Sequence, residues 1–150
     1  MSLTKIGLSP FEFSSTGYFT CIVLWGFSVS KFGYVQQKLF FFEETLEFNI
    51  TLEKNKKNIN YDKLSNIIKQ IKLDEFLDQR KLTLKDTLSE SAINISGGQA
   101  QRIGIARALY NSDDFLIFDE AFNNLDKHSI NNLTKIINGL KNNYTILIIS

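Results

Sequence analysis

The sequence predicts an α/β fold with a mostly parallel sheet. Two apolar runs, at 115–118 and 144–149, have the length and composition of strands buried on both faces. Two other stretches have the spacing of amphipathic helices, with apolar residues three and four positions apart. These helical positions are Leu64, Ile67, Ile68 and Ile71 in the first stretch, and Ile130, Leu133, Ile136, Ile137 and Leu140 in the second.

Length and composition indicate one soluble globular domain. The chain has 150 residues, 43% of them apolar, and a mean hydropathy of -0.10, which excludes a disordered protein. The net charge of +1 gives no indication of a nucleic-acid surface or a polybasic membrane anchor. The single cysteine, Cys21, forms no internal disulfide and is consistent with a reducing, cytoplasmic compartment.

Residues 1–33 form a separate segment with two open interpretations. No charged residue occurs between Glu12 and Lys31, and 18–25 is strongly apolar. This pattern is compatible with a short transmembrane or signal segment. Interspersed Ser, Thr and Gly residues favour one or two buried strands instead.

The stretch Ile95–Leu109 contains a candidate phosphate-binding element. Ser96, Gly97 and Gly98 precede a run that is predicted to be helical from about Ala100. Glycines allow a close approach of the backbone to a ligand, and the N-terminus of a helix favours an anion. A serine N-cap followed by flexible glycines is the simpler interpretation of these three residues alone.

The longer run Ser-Gly-Gly-Gln-Ala-Gln-Arg-Ile-Gly-Ile-Ala-Arg-Ala-Leu resembles the signature motif of ATP-binding-cassette (ABC) ATPases. The resemblance implies ATP and Mg²⁺ as ligands, with ATP contacts from Ser96, Gly97, Gly98 and Gln99. It also implies a head-to-tail dimer, in which this motif faces the ATP held by a second nucleotide-binding domain. The implied fold is a partial P-loop-NTPase-like parallel sheet core with an ABC helical subdomain, inserted from about Thr45 to Leu109.

Two carboxylates follow the first apolar run. Asp119 and Glu120 stand at the carboxyl end of a predicted buried strand, where α/β proteins bind ligands. Successive strand residues point to opposite sides, so the two carboxylates need not share a role. The run resembles a Walker B motif. By that resemblance Asp119 holds Mg²⁺ through water, and Glu120 is the catalytic residue that polarises the water attacking the γ-phosphate.

A glutamine follows the short strand near Tyr34. The residues around Gln37 resemble the Q-loop of exporter-type ABC domains, although Gln36 stands where the family usually has proline. By this resemblance Gln37 contacts the magnesium site and the bound ATP, and links both to the transmembrane partner. From its chemistry alone, Gln37 is an amide able to coordinate a cation, and most such glutamines are merely exposed.

Two further positions are assigned by resemblance. Glu90 stands six residues before Ser96, where exporter-type relatives have a glutamate facing the transmembrane partner, but serines replace the usual flanking glycines. Asp126 ends a segment similar to the D-loop and is assigned to ATP binding; it is also a candidate cap for the next helix. His128, the single histidine, is interpreted as solvated.

The resemblance covers residues 34–150, and two of the family's motifs lie outside it. A P-loop needs Gly-x-x-x-x-Gly-Lys-[Ser/Thr], and the sequence contains no Gly-Lys dipeptide. The strand that usually leads into the switch histidine ends at Ser150. We therefore expect the isolated chain to be inactive as an ATPase.

Three functional hypotheses follow. The first is part of the ATP-hydrolysing domain of an exporter-type ABC transporter, coupled to transport and held at the inner face of the membrane by a transmembrane partner. The second is a non-catalytic module or gene fragment that supplies only the signature half-site to a partner domain. The third, a soluble ABC-type ATPase acting on DNA or ribosomes, is disfavoured by the near-neutral charge and the exporter-like Q-loop.

Overall fold

The described part of the chain forms a sheet of four strands, and its mostly parallel arrangement is the one that the sequence predicts. The computed structural model describes residues 19–20 (backbone only), 31–88 and 95–149. The strands lie in the order β1-β2-β3-β4, with β1 antiparallel to β2 and the other pairs parallel. Their bounds are Phe19–Thr20 for β1, Lys31–Gln36 for β2, Phe115–Asp119 for β3 and Thr145–Ile149 for β4.

The carboxyl ends of the three parallel strands meet at one edge of the sheet. Gln36 of β2 lies opposite Asp119 of β3, and Asp119 lies opposite Ile149 of β4. Residues that directly follow β2 and β3 are therefore neighbours, which is the usual place for a ligand site in a parallel sheet.

Five α-helices are described, and they include both predicted amphipathic stretches. The segment between β2 and β3 contributes α1 to α4, and α5 connects β3 with β4. The helical insertion expected from about Thr45 to Leu109 is thus present. The bounds are Leu46–Thr51 for α1, Tyr61–Gln70 for α2, Leu73–Arg80 for α3, Gly97–Asn111 for α4 and Lys127–Leu140 for α5, with a 3₁₀ turn at Lys56–Asn58.

Helix α4 lies at the centre of the fold. It packs against β2 and against all four other α-helices, and Ile103, Ile105 and Leu109 are buried in that contact. A Cβ atom at Gly33 of β2 would lie 2.7 Å from the backbone oxygen of Ala108. Glycine at this position therefore lets β2 and α4 approach more closely than any other residue would allow.

Strand β4 differs from its prediction as a buried strand. It pairs with β3, but Leu147, Ile148 and Ile149 are 46%, 46% and 45% exposed. β4 is the outermost strand at one edge of the described sheet, so its side chains are flanked by a neighbouring strand on one side only.

The uncharged N-terminal stretch is described only at Phe19 and Thr20, which form β1 as the strand interpretation predicts. The remainder of that stretch lies outside the described residues. Within residues 31–88 and 95–149, no helix combines the length and apolar character needed to cross a membrane.

Candidate functional site

The start of α4 is fixed by a reciprocal cap. The Ser96 Oγ accepts a hydrogen bond from the Gln99 backbone N–H at 3.3 Å, and the Gln99 Oε1 accepts one from the Ser96 N–H at 3.0 Å. This capping box satisfies two backbone donors that the helix itself leaves unpaired. It also draws Gly97 and Gly98 into the first turn, so the helix begins three residues earlier than the predicted Ala100.

The two glycines allow close packing against the segment that leads into α5. A Cβ atom at Gly98 would lie 2.6 Å from the Ser129 Oγ, and one at Gly97 would lie 3.0 Å from the Leu125 Cδ2. Both contacts join the first turn of α4 to the loop and helix that follow β3. The Ser-Gly-Gly sequence is thus both a helix start and a packing surface.

Asp126 is the N-cap of α5, as one of its two interpretations predicts. Its Oδ1 accepts from the Ser129 N–H at 3.0 Å, and its Oδ2 accepts from the Ser129 Oγ at 2.5 Å. These hydrogen bonds, the side-chain one foremost, lower the pKa of the exposed Asp126 carboxyl. Its assignment to ATP binding stays a prediction.

Asp119, the last residue of β3, is held by a tyrosine that was not predicted as a site residue. The Tyr34 hydroxyl donates to the Asp119 Oδ2. This hydrogen bond, followed by burial and the negative charge of Asp119, raises the pKa of Tyr34 to about 12. The contact depends on the register that sets Gln36 opposite Asp119. The sequence does not reveal that register.

Glu120 turns the chain away from the sheet. Its φ angle is 47°, in the left-handed region, and its N–H donates to the Ile149 oxygen at 2.8 Å. Its exposed carboxylate accepts from the Asn123 Nδ2 at 3.1 Å. Asp119 and Glu120 therefore have different neighbours. The reason is not strand alternation, because β3 ends at Asp119 and Glu120 lies past it with a left-handed backbone.

Gln37 comes directly after β2, and its side chain is exposed. Its backbone oxygen accepts a hydrogen bond from the Nε2 of the buried Gln101 at 3.2 Å, and the oxygen of Gln36 accepts from the same nitrogen at 3.4 Å. Gln101 is the second residue missed as part of the site. The sequence indication for Gln101 was its position within the run that resembles the signature motif, one turn beyond Gly97.

One groove brings three of the predicted segments together. It has a volume of about 350 Å³, and Gln37, Gly97 and Asn123 all contribute to its wall. Glu120 borders this region through its hydrogen bond with Asn123. The complete lining is Gln37, Lys38, Leu39, Gly97, Ala100, Gln101, Asn123, Asn124 and Leu125.

The remaining signature residues face a second cavity. Ser96, Gly98 and Gln99 line a space of about 270 Å³ between α3, α4 and α5, together with the exposed His128. Ser96 and Gly97 are exposed to solvent and are available to a partner. Glu90 lies outside the described residues, and its role as a partner contact stays a prediction.

The oxygen donors beside the groove fit Mg²⁺. Among the described residues, Asp119 uses Oδ2 in a hydrogen bond and leaves Oδ1 for a metal-bound water. No three His, Cys, Asp or Glu side chains cluster in 31–88 or 95–149 as a dedicated metal cage. Mg²⁺ is usually held by one or two carboxylates with waters and substrate phosphates, so Asp119 and the Gln37 amide form a suitable donor set.

Comparison with known sequences gives a consistent result. A profile of the ABC transporter family matches residues 25–123. The lactococcin-G-processing and transport ATP-binding protein LagD of Lactococcus lactis is 39% identical over 93 residues, 62% of this chain and 13% of that protein. An ATP-dependent lipid A-core flippase of Coxiella burnetii is 32% identical over 121 residues, 81% of this chain and 20% of that protein.

A solved structure has the same fold. A bacterial Atm1-family ABC exporter with ATP bound superimposes with a TM-score of 0.64 at 24% identity, over 79% of this chain and 20% of the exporter chain. The present chain thus spans one fifth or less of each of these relatives.

Proposed function

The chain belongs to the ABC transporter family, and on that premise we propose that it is part of the ATP-binding and ATP-hydrolysing domain of an exporter-type transporter. The observation that carries the proposal is the shared groove. Gln37, Gly97 and Asn123 line it, Asp119 ends the strand β3, and Glu120 follows that strand and bonds to Asn123.

The candidate residues in and beside the groove then have distinct tasks. Asp119 would hold Mg²⁺ through water, while Tyr34 fixes one of its carboxylate oxygens, Oδ2. Glu120 polarises the water that attacks the γ-phosphate and accepts its proton. Gln37, which lines the groove, would contribute its amide oxygen to the magnesium site. Mg²⁺, when bound, neutralises charge that develops on the phosphates.

The first turn of α4 completes a site with a second domain. Ser96 and Gly97 are exposed and lie at the N-terminus of α4, where the helix dipole favours a phosphate group. In a head-to-tail dimer, Ser96–Gln99 would contact the ATP that is held by the P-loop of the partner domain, and Asp126 would border the interface. Glu90 and Gln37 would face a transmembrane partner at the cytoplasmic side of the membrane.

The first test measures ATP hydrolysis by the 150-residue polypeptide alone. We expect no Mg²⁺-dependent turnover, because its sequence has no Gly-Lys dipeptide from which a phosphate cradle could be built. Turnover that is abolished by Glu120→Gln would contradict this expectation.

The second test provides a phosphate-binding P-loop on a separate domain. A purified full-length exporter nucleotide-binding domain, held in its ATP-bound form by a Glu→Gln replacement of its own, should retain the chain in a pull-down with ATP and Mg²⁺. Ser96→Arg should abolish this retention, whereas Ser65→Arg, at an exposed position of α2, should not. Failure of the unmodified chain to bind would refute the shared site.

A second candidate function has its own supporting observation. The exposed Ser96 and the absence of a Gly-Lys dipeptide suit a non-catalytic module that lends only its signature to a partner. In a mixed dimer with a full-length domain, such a module would tolerate Glu120→Gln but not Ser96→Arg. Loss of ATP turnover with both variants would favour the catalytic assignment. The DNA on both sides of the coding sequence would show whether a P-loop and a switch histidine are encoded there.

A further inference from the structure

Gln101 makes an unusual set of contacts for a buried side chain. It is 4% exposed and lies one turn beyond Gly97 on α4. Its Nε2 donates to two backbone oxygens, of Gln36 at 3.4 Å and of Gln37 at 3.2 Å. Because a carbonyl oxygen can only accept, the amide orientation is fixed with Nε2 towards both.

The opposite atom of the same amide has no partner among the described residues. The Gln101 Oε1 is buried there and accepts no hydrogen bond. A buried acceptor without a donor destabilises its own arrangement. An apolar side chain of the same length would fill this space without that cost. Packing alone therefore does not explain a glutamine at this position.

Helix α4 contacts the segment after β2 at three successive levels. Gln101 binds the backbone of Gln37, Gly104 accommodates Leu39, and Arg107 NH1 donates to the Phe40 oxygen at 3.0 Å. Leu39 lies close enough that a Cβ at Gly104 would approach its Cδ atoms to 2.6 Å. The far end of the segment is thus firmly attached to the middle of α4, while its near end at Gln37 is joined through the Gln101 amide.

We propose that Gln101 is a positioning residue that couples the backbone at Gln37 to the first turn of α4. When Gln37 is displaced, the amide loses two hydrogen bonds but becomes able to rotate into the adjacent groove, where Oε1 gains a donor from water. The arrangement with Gln37 in place and the one with Gln37 displaced are thereby close in free energy, as a two-state element requires. The role of this coupling in ATP hydrolysis rests on the proposed function. The coupling between Gln37 and Ser96–Gln99 itself does not depend on a bound nucleotide.

The test is a double-mutant cycle read by amide hydrogen exchange in the nucleotide-free chain. Leu39→Ala loosens the Gln37 segment, and the reporters are the Gln99 and Ala100 amides, which donate to Ser96. We expect Leu39→Ala to speed their exchange about fivefold when Gln101 is present and by less than about 1.5-fold in the Gln101→Met background. Gln70→Met, at an exposed position of α2, should leave the fivefold effect intact.

A pH series on Gln101→Glu provides a test within a single folded variant. A protonated carboxyl can donate to the Gln37 oxygen, whereas an ionised carboxylate faces two carbonyl oxygens that repel it. Exchange at Gln99 and Ala100, corrected for intrinsic pH dependence, should therefore be close to that of the unmodified chain at low pH and faster at high pH. The unmodified chain should show no such step.

Three results would overturn the proposal. In the first, Leu39→Ala speeds amide exchange equally with Gln101 and with Met at that position. In the second, Leu39→Ala changes exchange in neither background. In the third, amide exchange in the Gln101→Glu variant does not change with pH. None of these measurements includes ATP. A failure of the ATP-dependent pull-down with a normal exchange cycle would therefore reject the proposed function and leave the coupling intact.

Discussion

The region around α4 and the region around β4 are built in opposite ways. Around α4, buried polar groups are joined by hydrogen bonds that connect α1, α4 and the segment after β2. In β4, apolar side chains are left exposed at the outer strand of the described sheet. In the first region, the groups around Asn49 and Arg107 have hydrogen-bond partners within the described chain. The second has a surface typical of one that is covered by another element.

Asn49 and Arg107 illustrate the self-contained region. Asn49 is completely buried, and its Oδ1 accepts from the Phe42 N–H at 2.9 Å and from Arg107 NH2 at 3.2 Å. Its Nδ2 donates to the oxygens of Phe42, Glu44 and Thr45. Arg107 Nε in turn donates to the Asn49 backbone oxygen at 2.7 Å. One amide and one guanidinium thus fix the whole turn before α1.

Among substitutions that leave the chain folded, the largest effect on stability is expected from Asn49→Ala. The substitution leaves several buried backbone groups and part of the Arg107 guanidinium without partners, so the free energy of unfolding should fall by about 3 kcal/mol. Urea denaturation followed by circular dichroism measures the change. Asn131→Ala, at an exposed position of α5, is the matched control and should change stability by less than about 0.5 kcal/mol. Equal effects of the two variants would show that the Asn49 network contributes nothing.

A second test compares two glycines. Gly33→Ala would place a Cβ 2.8 Å from the Ala108 Cβ and 2.7 Å from its backbone oxygen, forcing β2 away from α4. We expect a loss of about 2 kcal/mol. Gly139→Ala in α5 meets no atom within 4 Å and should instead stabilise the chain by about 0.5 kcal/mol. The same denaturation experiment measures the change in the free energy of unfolding for both variants. An unchanged stability of Gly33→Ala would contradict the close approach of β2 and α4.

The exposed strand should affect association more than stability. Leu147→Lys replaces a half-exposed apolar residue of β4 and should reduce self-association of the 150-residue chain in light scattering. Its free energy of unfolding should change by less than about 0.5 kcal/mol. Leu140→Lys, at a fully buried position of α5, should unfold the chain. A monodisperse unmodified chain would show that β4 does not drive association.

The smallest expected effect concerns Tyr34. Its hydrogen bond to Asp119 raises its pKa from 10.0 to about 12, so the stabilisation is complete below pH 10 and is lost as the pH rises to 12. Tyr34→Phe should remove one ionisation near pH 12 from the tyrosinate absorbance titration. Asp119→Asn should shift that ionisation to lower pH. An unchanged titration in Asp119→Asn would contradict the assigned cause.

Periodicity and motif spacing were sufficient for most of the fold. The apolar run before Asp119 predicted β3, and the spacing from Ile130 to Leu140 predicted α5, because both signals depend on burial over several residues. The start of α4 was placed too late. Glycine has a low helix propensity, and the capping box of Ser96 and Gln99 offsets it.

The residues of the candidate site could be grouped from the sequence only where they are close neighbours along the chain. Asp119 and Glu120 are adjacent in sequence, and so are Ser96 and Gly97. Tyr34, in contrast, reaches Asp119 across 85 positions of sequence, and Gln101 reaches Gln37 across 64. Such contacts depend on strand register and helix packing, which no local pattern specifies.

At Glu120 the left-handed backbone favours a different residue type from the one that the proposed chemistry requires. Its φ of 47° suits glycine or asparagine, and a glutamate held there costs about 1 kcal/mol or more. A search for thermostable variants would therefore select against this carboxylate, and a library screened only for folding should enrich Gly at that position. On the proposed function, a selection for ATP hydrolysis in a complete transporter should instead keep Glu at this codon. A difference between the two selections would identify Glu120 as a residue retained for its chemistry.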